Sequence, residues 1–184
     1  MAVDLLAFPF IGGRHALNFV GTLGKRGQGD IERLGAPADL VRWAEQAGLA
    51  NCTASAADLE AARQLREAMY RLTMATVSRV PVQTEDVAVI NEWAARETAV
   101  PALALRSGVL ERDDSESPAS AVLAAVARDA IDLLTGPEAA SIRGCEDPTC
   151  TLLFVDTSRS NRRRWCSMDR CGARAKMRTL RSSS

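Results

Sequence analysis

Four cysteines arranged as two equally spaced pairs constrain this chain more than any other feature. Cys145 and Cys150 form one C-x4-C pair, Cys166 and Cys171 form another, and fifteen residues separate the pairs. Two short-spaced pairs at this separation are typical of a four-thiolate zinc site, because each pair brings two ligands onto one side of a tetrahedron. We therefore predict one zinc ion held by these four cysteines. Four thiolates leave no open coordination position, so we expect the zinc to be structural.

Other uses of the cysteines stay open at this point. Disulfides would need an oxidising compartment, and the N-terminus MAVDLLAFPFIGGRH has neither the basic nor the continuous apolar region of a signal peptide. Four thiols without metal and an iron–sulfur cluster are further alternatives, although cluster ligands usually follow other spacings. Redox catalysis favours C-x-x-C, which neither pair has.

The residues around the cysteines predict a treble-clef-like finger. Residues 152–155 indicate a strand, residues 157–161 a polar turn, and a second strand is predicted to lead to Trp165 and Cys166. After Cys171, the segment GARAKMRTLR has helical composition. The final RSSS is predicted to be disordered.

Helices dominate the prediction for the rest of the chain. Apolar residues three or four apart predict helices over 37–47, 55–78, 85–97 (capped by Thr84) and 119–135. Residues 100–111 predict a hairpin, and residues 15–23, HALNFVGTL, predict a short strand or buried extended piece. The predicted fold is α+β: a mainly α-helical domain with short β pieces over residues 1–140, then the finger over residues 141–184.

Charge is divided unevenly along a chain that is neutral as a whole. Residues 141–184 carry ten Lys and Arg against four Asp and Glu, so residues 1–140 carry a net charge of −6. Such asymmetry is typical of an end that faces nucleic acid or another partner. A solvated basic surface is the alternative, and some arginines can offset the negative charge of a zinc–thiolate centre.

A row of basic residues on the last predicted helix indicates a nucleic-acid interface. Its arginines lie four, four and three residues apart, along one helix face, and a second basic group, RSNRRR, precedes Trp165. Guanidinium groups donate paired hydrogen bonds to phosphates. The candidate nucleic-acid-binding residues are Arg159, Arg162, Arg163, Arg164, Arg170, Arg174, Lys176, Arg178 and Arg181. Because Phe154 and Trp165 are the only aromatic residues available to stack bases, duplex DNA is favoured over a single strand.

The N-terminal region offers weaker signals. Its single histidine, His15, marks a candidate ligand pocket with Asn18 and Trp43, although a structural histidine is the commoner case. No Gly-rich phosphate loop or nucleophile elbow is present, so we predict that the chain is not an enzyme. No run of eighteen apolar residues is present either, so we expect a cytoplasmic protein without a membrane partner.

Two stretches resemble known families. C-x4-C-x3-F-V-D-T-S-R…R-R-W-C-S-M-x-x-C-G-x-R-x-K resembles the CGNR zinc finger, and GGRHALNFVGTL with PADLVRWAEQAGL resembles the ABATE domain that precedes that finger. The resemblance implies a bacterial, stress-related transcription regulator whose zinc-bound finger contacts DNA. The naming motif reads Cys-Gly-Ala-Arg here, so Ala173 lacks the amide of the family's asparagine. Asn18 and Gly21 also stand where the family has aspartate and asparagine.

DNA binding in transcription control is thus the predicted function. One alternative is a protein–protein interaction module, in which the zinc is structural and the arginines meet an acidic partner. Another is a small-molecule sensor acting through the N-terminal domain. The sequence leaves a homodimer and a ligand of the N-terminal domain open.

Overall fold

The main body of the molecule is a group of α-helices joined by short two-stranded ladders. The structure is a computed structural model and describes residues 5–113 and 115–182. Within them the helices are α1 His15–Val20, α2 Pro37–Gln46, α3 Ala56–Ser78, α4 Thr84–Ala94, α5 Ala119–Thr135 and α6 Ala173–Ser182. The strands are β1 Leu23–Gly24, β2 Ile31–Glu32, β3 Cys52–Thr53, β4 Leu103–Arg106, β5 Val109–Arg112, β6 Ser117–Pro118, β7 Ile142–Gly144 and β8 Leu153–Val155. The predicted fold class is confirmed.

Each strand pairs with one other, so no larger sheet forms in the described residues. β1 pairs with β2, β4 with β5 and β7 with β8, all antiparallel, whereas β3 and β6 are parallel. Ladders of two short strands bury little apolar surface by themselves. The helices therefore supply most of the core.

The longest helix, α3, begins with a capping box and buries one apolar stripe. The Ser55 hydroxyl oxygen accepts a hydrogen bond from the Asp58 N–H at 3.2 Å, and the Asp58 carboxylate accepts one from the Ser55 N–H at 2.8 Å. Ala62, Leu65 and Met69, three or four residues apart, are completely buried. The stripe packs against α4 and α5, as the periodicity predicts.

The other predicted helices are also present, with small differences at their ends. α2 begins at Pro37, and α5 begins directly after Pro118. α4 ends at Ala94, three residues before the predicted end. Thr84 is its first residue and Gln83 occupies the N-cap position, so the expected cap was wrong by one residue.

The predicted hairpin between residues 100 and 111 is confirmed as β4 and β5. Ser107 and Gly108 form its turn with φ values of 50° and 80°, a left-handed pair that matches the twist of the strands. Leu103 and Leu110 are 76% and 68% exposed. The hairpin therefore adds little to the core.

Residues 15–23 are mostly helical, so the predicted strand is wrong there. His15–Val20 forms α1, and only Leu23 at the end of the stretch is in a strand. The Asp129 carboxylate, on α5, accepts the Ala16 N–H at 2.8 Å and so caps α1 from a distant part of the chain. A helix of six residues is stable here because of this tertiary cap, which the local sequence does not reveal.

The finger also differs from its prediction. The strand predicted over 152–155 is present as β8, but it pairs with β7, upstream of the first cysteine. The second strand predicted before Cys166 is not formed. The first cysteine pair therefore lies on the turn of the hairpin, and the treble-clef arrangement is not confirmed. Of the RSSS predicted to be disordered, Arg181 and Ser182 belong to α6, while residues 183 and 184 lie outside the described residues.

The β7–β8 hairpin belongs to the same hydrophobic core as the helices. Ile142, Leu153 and Val155 are at most 4% exposed and pack within the main apolar cluster. The Val155 N–H also donates to the Gly12 carbonyl oxygen at 2.9 Å, which ties the hairpin to the segment before α1. The division into domains over 1–140 and 141–184 stays a prediction.

None of the helices in the described ranges combines the length and the apolar character needed to cross a membrane.

Candidate metal centre

The first cysteine pair is carried by the turn between β7 and β8. The Cys145 N–H donates to the Leu152 carbonyl oxygen at 3.0 Å, and the Cys150 N–H donates to the Asp147 carbonyl oxygen at 2.9 Å. The Asp147 carboxylate accepts from the N–H and the hydroxyl of Thr149 at 3.0 and 2.8 Å. These bonds fix the turn and place both sulfurs on the same side of it.

The second cysteine pair lies where the chain enters α6. Residues Met168–Gly172 form a single π-helical turn, and the N–H groups of Cys171 and Gly172 both donate to the Ser167 carbonyl oxygen, at 3.1 and 3.0 Å. Wider turns of this kind occur often at functional sites. Here the turn directs the Cys171 sulfur back toward Cys166.

The four sulfurs form one cluster. All of them lie within 4.8 Å of one another, with Cys150 and Cys166 3.8 Å apart and Cys166 and Cys171 3.5 Å apart. A tetrahedron with Zn–S bonds of about 2.3 Å has sulfur–sulfur edges of about 3.8 Å. A disulfide would need sulfurs about 2.05 Å apart. The geometry thus fits a metal ion and excludes cross-links between these cysteines.

The cluster favours a cation for electrostatic reasons as well. A hydrogen bond from Cys166 lowers the pKa of Cys150 to about 5. The pKa of Cys166 is raised by its hydrogen bond to Cys150 and by burial, and burial raises the pKa of Cys171 to about 12. The sulfurs therefore cannot all be thiolates beside one another unless positive charge lies between them.

Arg174 links α6 to both parts of the cluster. Its guanidinium donates to the Cys171 sulfur at 3.0 Å and to the Asp147 carboxylate at 3.0 Å, and Arg178 lies 3.4 Å from the same carboxylate. Asp147 is 1% exposed, and although burial raises its pKa, hydrogen bonds from Thr149 and Arg174 hold the value at about 2. These ion pairs, in which the carboxylate is buried and the arginines are about half exposed, hold α6 against the cysteine turn.

The Arg163 side chain contacts other residues of the finger. Its guanidinium lies 4.4 Å from the ring centre of Phe154 and donates to the carbonyl oxygens of Trp165 and Cys166. Its N–H donates to the Asp156 carboxylate at 2.8 Å. Arg163 therefore stabilises the approach to the second cysteine pair.

Arg164 connects the two halves of the finger at the surface. Its carbonyl oxygen accepts the Glu146 N–H at 2.9 Å, and its guanidinium lies 2.6 Å from the Glu146 carboxylate. Both side chains are at least half exposed, so the ion pair contributes little stability.

The other candidate nucleic-acid-binding residues are exposed, and their side chains have no partner among the described residues. They are Arg159, Arg162, Arg170, Lys176 and Arg181. The first two lie on the loop after β8, Arg170 lies in the π-helical turn, and the last two lie on α6. The nine predicted residues thus divide into four with internal partners and five without.

The residues proposed from sequence as an N-terminal pocket do not form an open one. Trp43 is completely buried, with the rings of Phe10 and Phe19 centred 6.2 and 4.9 Å from its own. The Asn18 side-chain oxygen accepts the Gly12 N–H at 2.8 Å. His15 is half-buried, and its Nδ1 has no partner in the described part of the chain.

Asp147 is the functional residue that the sequence reasoning missed. It fixes the cysteine turn and accepts two arginines from α6. An aspartate followed two residues later by threonine is a recognisable turn signal. Its hydrogen bonds to α6, in contrast, connect it to Arg174 and Arg178, which lie 27 and 31 residues further along the chain. Only the folded structure shows these contacts.

Comparison with protein families decides the assignment. Residues 13–137 match ABATE, described as "Putative stress-induced transcription regulator". The chain belongs to the ABATE family. Residues 141–183 match the CGNR zinc finger, so both resemblances noted in the sequence are confirmed. A search of curated proteins found no match.

The cysteine cluster of this ABATE protein is the site of one structural zinc ion. The CGNR match and the sulfur geometry agree, and Cys145, Cys150, Cys166 and Cys171 are the residues that would hold it. Bound zinc supplies folding free energy, and with four thiolate ligands it has no position for a substrate or an activated water.

Proposed function

We propose that this ABATE protein regulates transcription by binding duplex DNA through its CGNR finger. The observation that carries the proposal is the division of the finger's basic residues. Arg163, Arg164, Arg174 and Arg178 have internal partners, whereas five exposed cations have none among the described residues. Cations without a partner can bind phosphates without first breaking an ion pair.

Duplex DNA suits the finger better than a single strand. Phe154 is completely buried beneath Arg163, and Arg164 lies 4.9 Å from the ring centre of Trp165. Neither ring offers a free face of the kind on which unpaired bases stack. Contacts to phosphates and groove edges remain, and these are the contacts that a basic helix and loop make with a duplex.

The uneven charge of the chain favours one orientation on DNA. The finger region carries six more positive than negative charges, and residues 1–140 carry the opposite excess. A polyanion therefore attracts the finger and repels the helical body. This protein would approach DNA with residues 141–184 first.

The proposal includes no catalytic activity. The zinc site supports a purely structural metal, because its four sulfur ligands would complete a tetrahedron. An acidic protein that binds the same cations is the rival interpretation, and a homodimer and a ligand beside His15 stay predictions.

A salt titration of binding to random-sequence duplex DNA tests the proposal. Replacing Arg159, Arg162 and Lys176 with alanine should weaken binding at low salt and reduce the slope of log K against log salt by about 0.9 for each lost phosphate contact. A matched triple variant replaces three exposed arginines of the helical region with alanine: Arg42, Arg96 and Arg106. It should leave the slope unchanged.

Zinc content and circular dichroism should be the same in both variants, because none of these six residues contacts a cysteine. If the unsubstituted protein has no measurable affinity for duplex DNA at low salt, the proposal is wrong and an acidic partner is favoured. Equal slopes for the two variants would show that these finger cations do not contact DNA.

A further inference from the structure

A groove of about 850 Å³ separates α6 from the β1–β2 hairpin. One wall carries Gly24, Lys25 and Ile31, and the other carries the side of α6 that bears Arg174 and Arg178. The cysteine turn closes one part of the groove through residues 149–152. Its volume lies within the range of about 300 to 1,000 Å³ that is usual for small-molecule sites.

The lining of the groove is strongly basic. Six of its sixteen residues are Lys or Arg and one is acidic. The six are Lys25, Arg33, Arg170, Arg174, Arg178 and Arg181. Arg174 and Arg178 already pair with Asp147, and Arg33 donates to backbone carbonyl oxygens. Lys25 on one wall and Arg170 and Arg181 on the other are therefore the cations that would attract a bound anion, from two sides.

Arg33 is built into the wall. It is 6% exposed, and its guanidinium donates to the carbonyl oxygens of Ala7 and Gly21 at 2.9 and 3.3 Å. A Cβ atom on Gly24 would come within 2.6 Å of this guanidinium, so the glycine leaves room for it. Arg33 therefore forms a fixed part of the groove wall.

The remaining lining is largely aliphatic. Leu5, Ile31, Leu152 and Met177 contribute apolar side chains, and no aromatic side chain lines the groove in the described residues. A nucleotide base would find no ring to stack on. An alkyl chain, in contrast, would bury apolar surface against these residues.

The two walls are held in fixed positions relative to each other. The Glu32 carboxylate, on β2, pairs with both terminal nitrogens of Arg66 at 2.7 Å, which fixes the hairpin to α3. The Arg26 N–H donates to the Thr151 hydroxyl at 3.2 Å, which joins the hairpin loop to the cysteine turn. The groove is therefore preformed, and a ligand would not have to order its walls.

We propose that this groove binds an anionic aliphatic amphiphile, a molecule with a carboxylate or phosphate head and an alkyl chain. The cations bind the head group and the aliphatic residues contact the chain. The proposal goes beyond DNA binding and does not depend on it, because it rests on the groove and not on the exposed cations of the loop after β8.

Calorimetric titration with dodecyl phosphate, kept below its micelle concentration, tests the proposal on the zinc-loaded chain. We expect saturable binding of one molecule per chain. Inorganic phosphate should bind at least about tenfold more weakly because it lacks the apolar contacts. Dodecyltrimethylammonium, which has the same chain and a positive head, should not bind. Equal binding of the two amphiphiles would overturn the proposal.

Two variants locate the site. Lys25→Glu reverses a charge on the hairpin wall, and Ile31→Glu places a carboxylate on the apolar lining. Each should weaken dodecyl phosphate binding by at least about tenfold, as expected for the loss of a charge-assisted contact or of apolar burial. Val109→Glu makes the same kind of change on the exposed β5 strand and should leave binding unchanged. If both groove variants keep the original affinity, with zinc content and circular dichroism unchanged, dodecyl phosphate does not bind in this groove and the proposal is wrong.

A membrane lipid offers the same chemistry as a free amphiphile. Sedimentation with phosphatidylglycerol vesicles separates the two sources. Binding to monomeric dodecyl phosphate without vesicle binding supports a soluble ligand in the groove. Vesicle binding that is unchanged by Lys25→Glu and Ile31→Glu, in the absence of monomer binding, would overturn the proposal. Neither result depends on the DNA assay, so the two proposals can fail separately.

Discussion

At the scale of single residues, the five cysteines occupy two kinds of environment. Cys52 lies in β3, 3% exposed, and burial raises the pKa of its thiol. It packs in the main apolar cluster, away from the four sulfurs that lie within 4.8 Å of one another. One buried cysteine thus acts as an apolar side chain, while the four clustered cysteines act as metal ligands.

Replacing a clustered cysteine should unfold the finger, whereas replacing Cys52 should not. Cys166→Ser removes one zinc ligand, and because metal-binding free energy is folding free energy here, we expect loss of zinc and of the ordered finger. Elemental analysis of zinc per chain and amide hydrogen exchange of residues 145–171 measure the two effects. Cys52→Ser is the control and should keep full zinc content. Full zinc content in Cys166→Ser would refute the ligand assignment.

Sequence spacing predicted the ligand cysteines, but it could not distinguish the arginines with internal partners from the exposed ones. Arg162 and Arg163 are neighbours of identical chemistry, yet Arg162 is exposed and Arg163 lies over Phe154. The difference comes from which side chain points toward the buried ring, and this depends on the packed finger. Contacts between residues far apart in sequence, such as Arg174 with Asp147, are equally invisible to local patterns.

At the scale of elements, long helices were predictable and short ones were not. α3 repeats its apolar spacing over 23 residues, so its pattern is unambiguous. α1 has six residues, and its cap comes from Asp129 on another helix. The two-residue strands are likewise held by tertiary contacts: β2 is fixed to α3 by the pairing of Glu32 with Arg66.

Glu32→Gln should weaken the attachment of β2 to α3 by leaving the buried Arg66 with less negative charge. We expect the free energy of unfolding at neutral pH to fall by about 3 kcal/mol. Urea unfolding measures this difference. Glu60→Gln is the matched control, since Glu60 is largely exposed and 3.9 Å from Arg63, and it should change stability by less than about 0.5 kcal/mol.

The effect of Glu32→Gln should also depend on pH. Burial raises the pKa of Glu32, but hydrogen bonds from Arg66 and the Leu34 N–H outweigh it and lower the value below its ordinary 4.5. A carboxyl group with a lowered pKa stabilises the folded state above the unfolded pKa, and the contribution is lost as pH falls through the folded value. The difference between the two proteins should therefore shrink below pH 4.5. A constant difference would contradict this assignment.

At the scale of the whole molecule, the finger and the helical body share a core. Ile142, Leu153 and Val155 pack in the main cluster, while Leu152 and Phe154 pack around the cysteines. Successive residues of one short strand thus point into two different clusters. The sequence shows this strand as a continuous apolar run, which predicts burial on both faces but does not identify what covers each face.

Ile142→Ala should therefore destabilise the helical body and not only the finger. A buried isoleucine replaced by alanine costs about 2 to 5 kcal/mol, and we expect the loss in the main unfolding transition. Helical circular dichroism during urea unfolding reports it. Leu110→Ala, at a residue that is 68% exposed, should change stability by less than about 0.5 kcal/mol. A main transition unaffected by Ile142→Ala would show that the two parts fold independently.

The hydrogen bond from the Val155 N–H to the Gly12 carbonyl joins the beginning of the chain to its last quarter. A ribosome releases Gly12 long before Val155. Before Val155 emerges, the Gly12 carbonyl lacks this hydrogen bond, and the helical body lacks the apolar contacts of Ile142, Leu153 and Val155. Until Val155 has left the exit tunnel, apolar surface of the helical body stays exposed to solvent, which makes that stage of synthesis prone to aggregation.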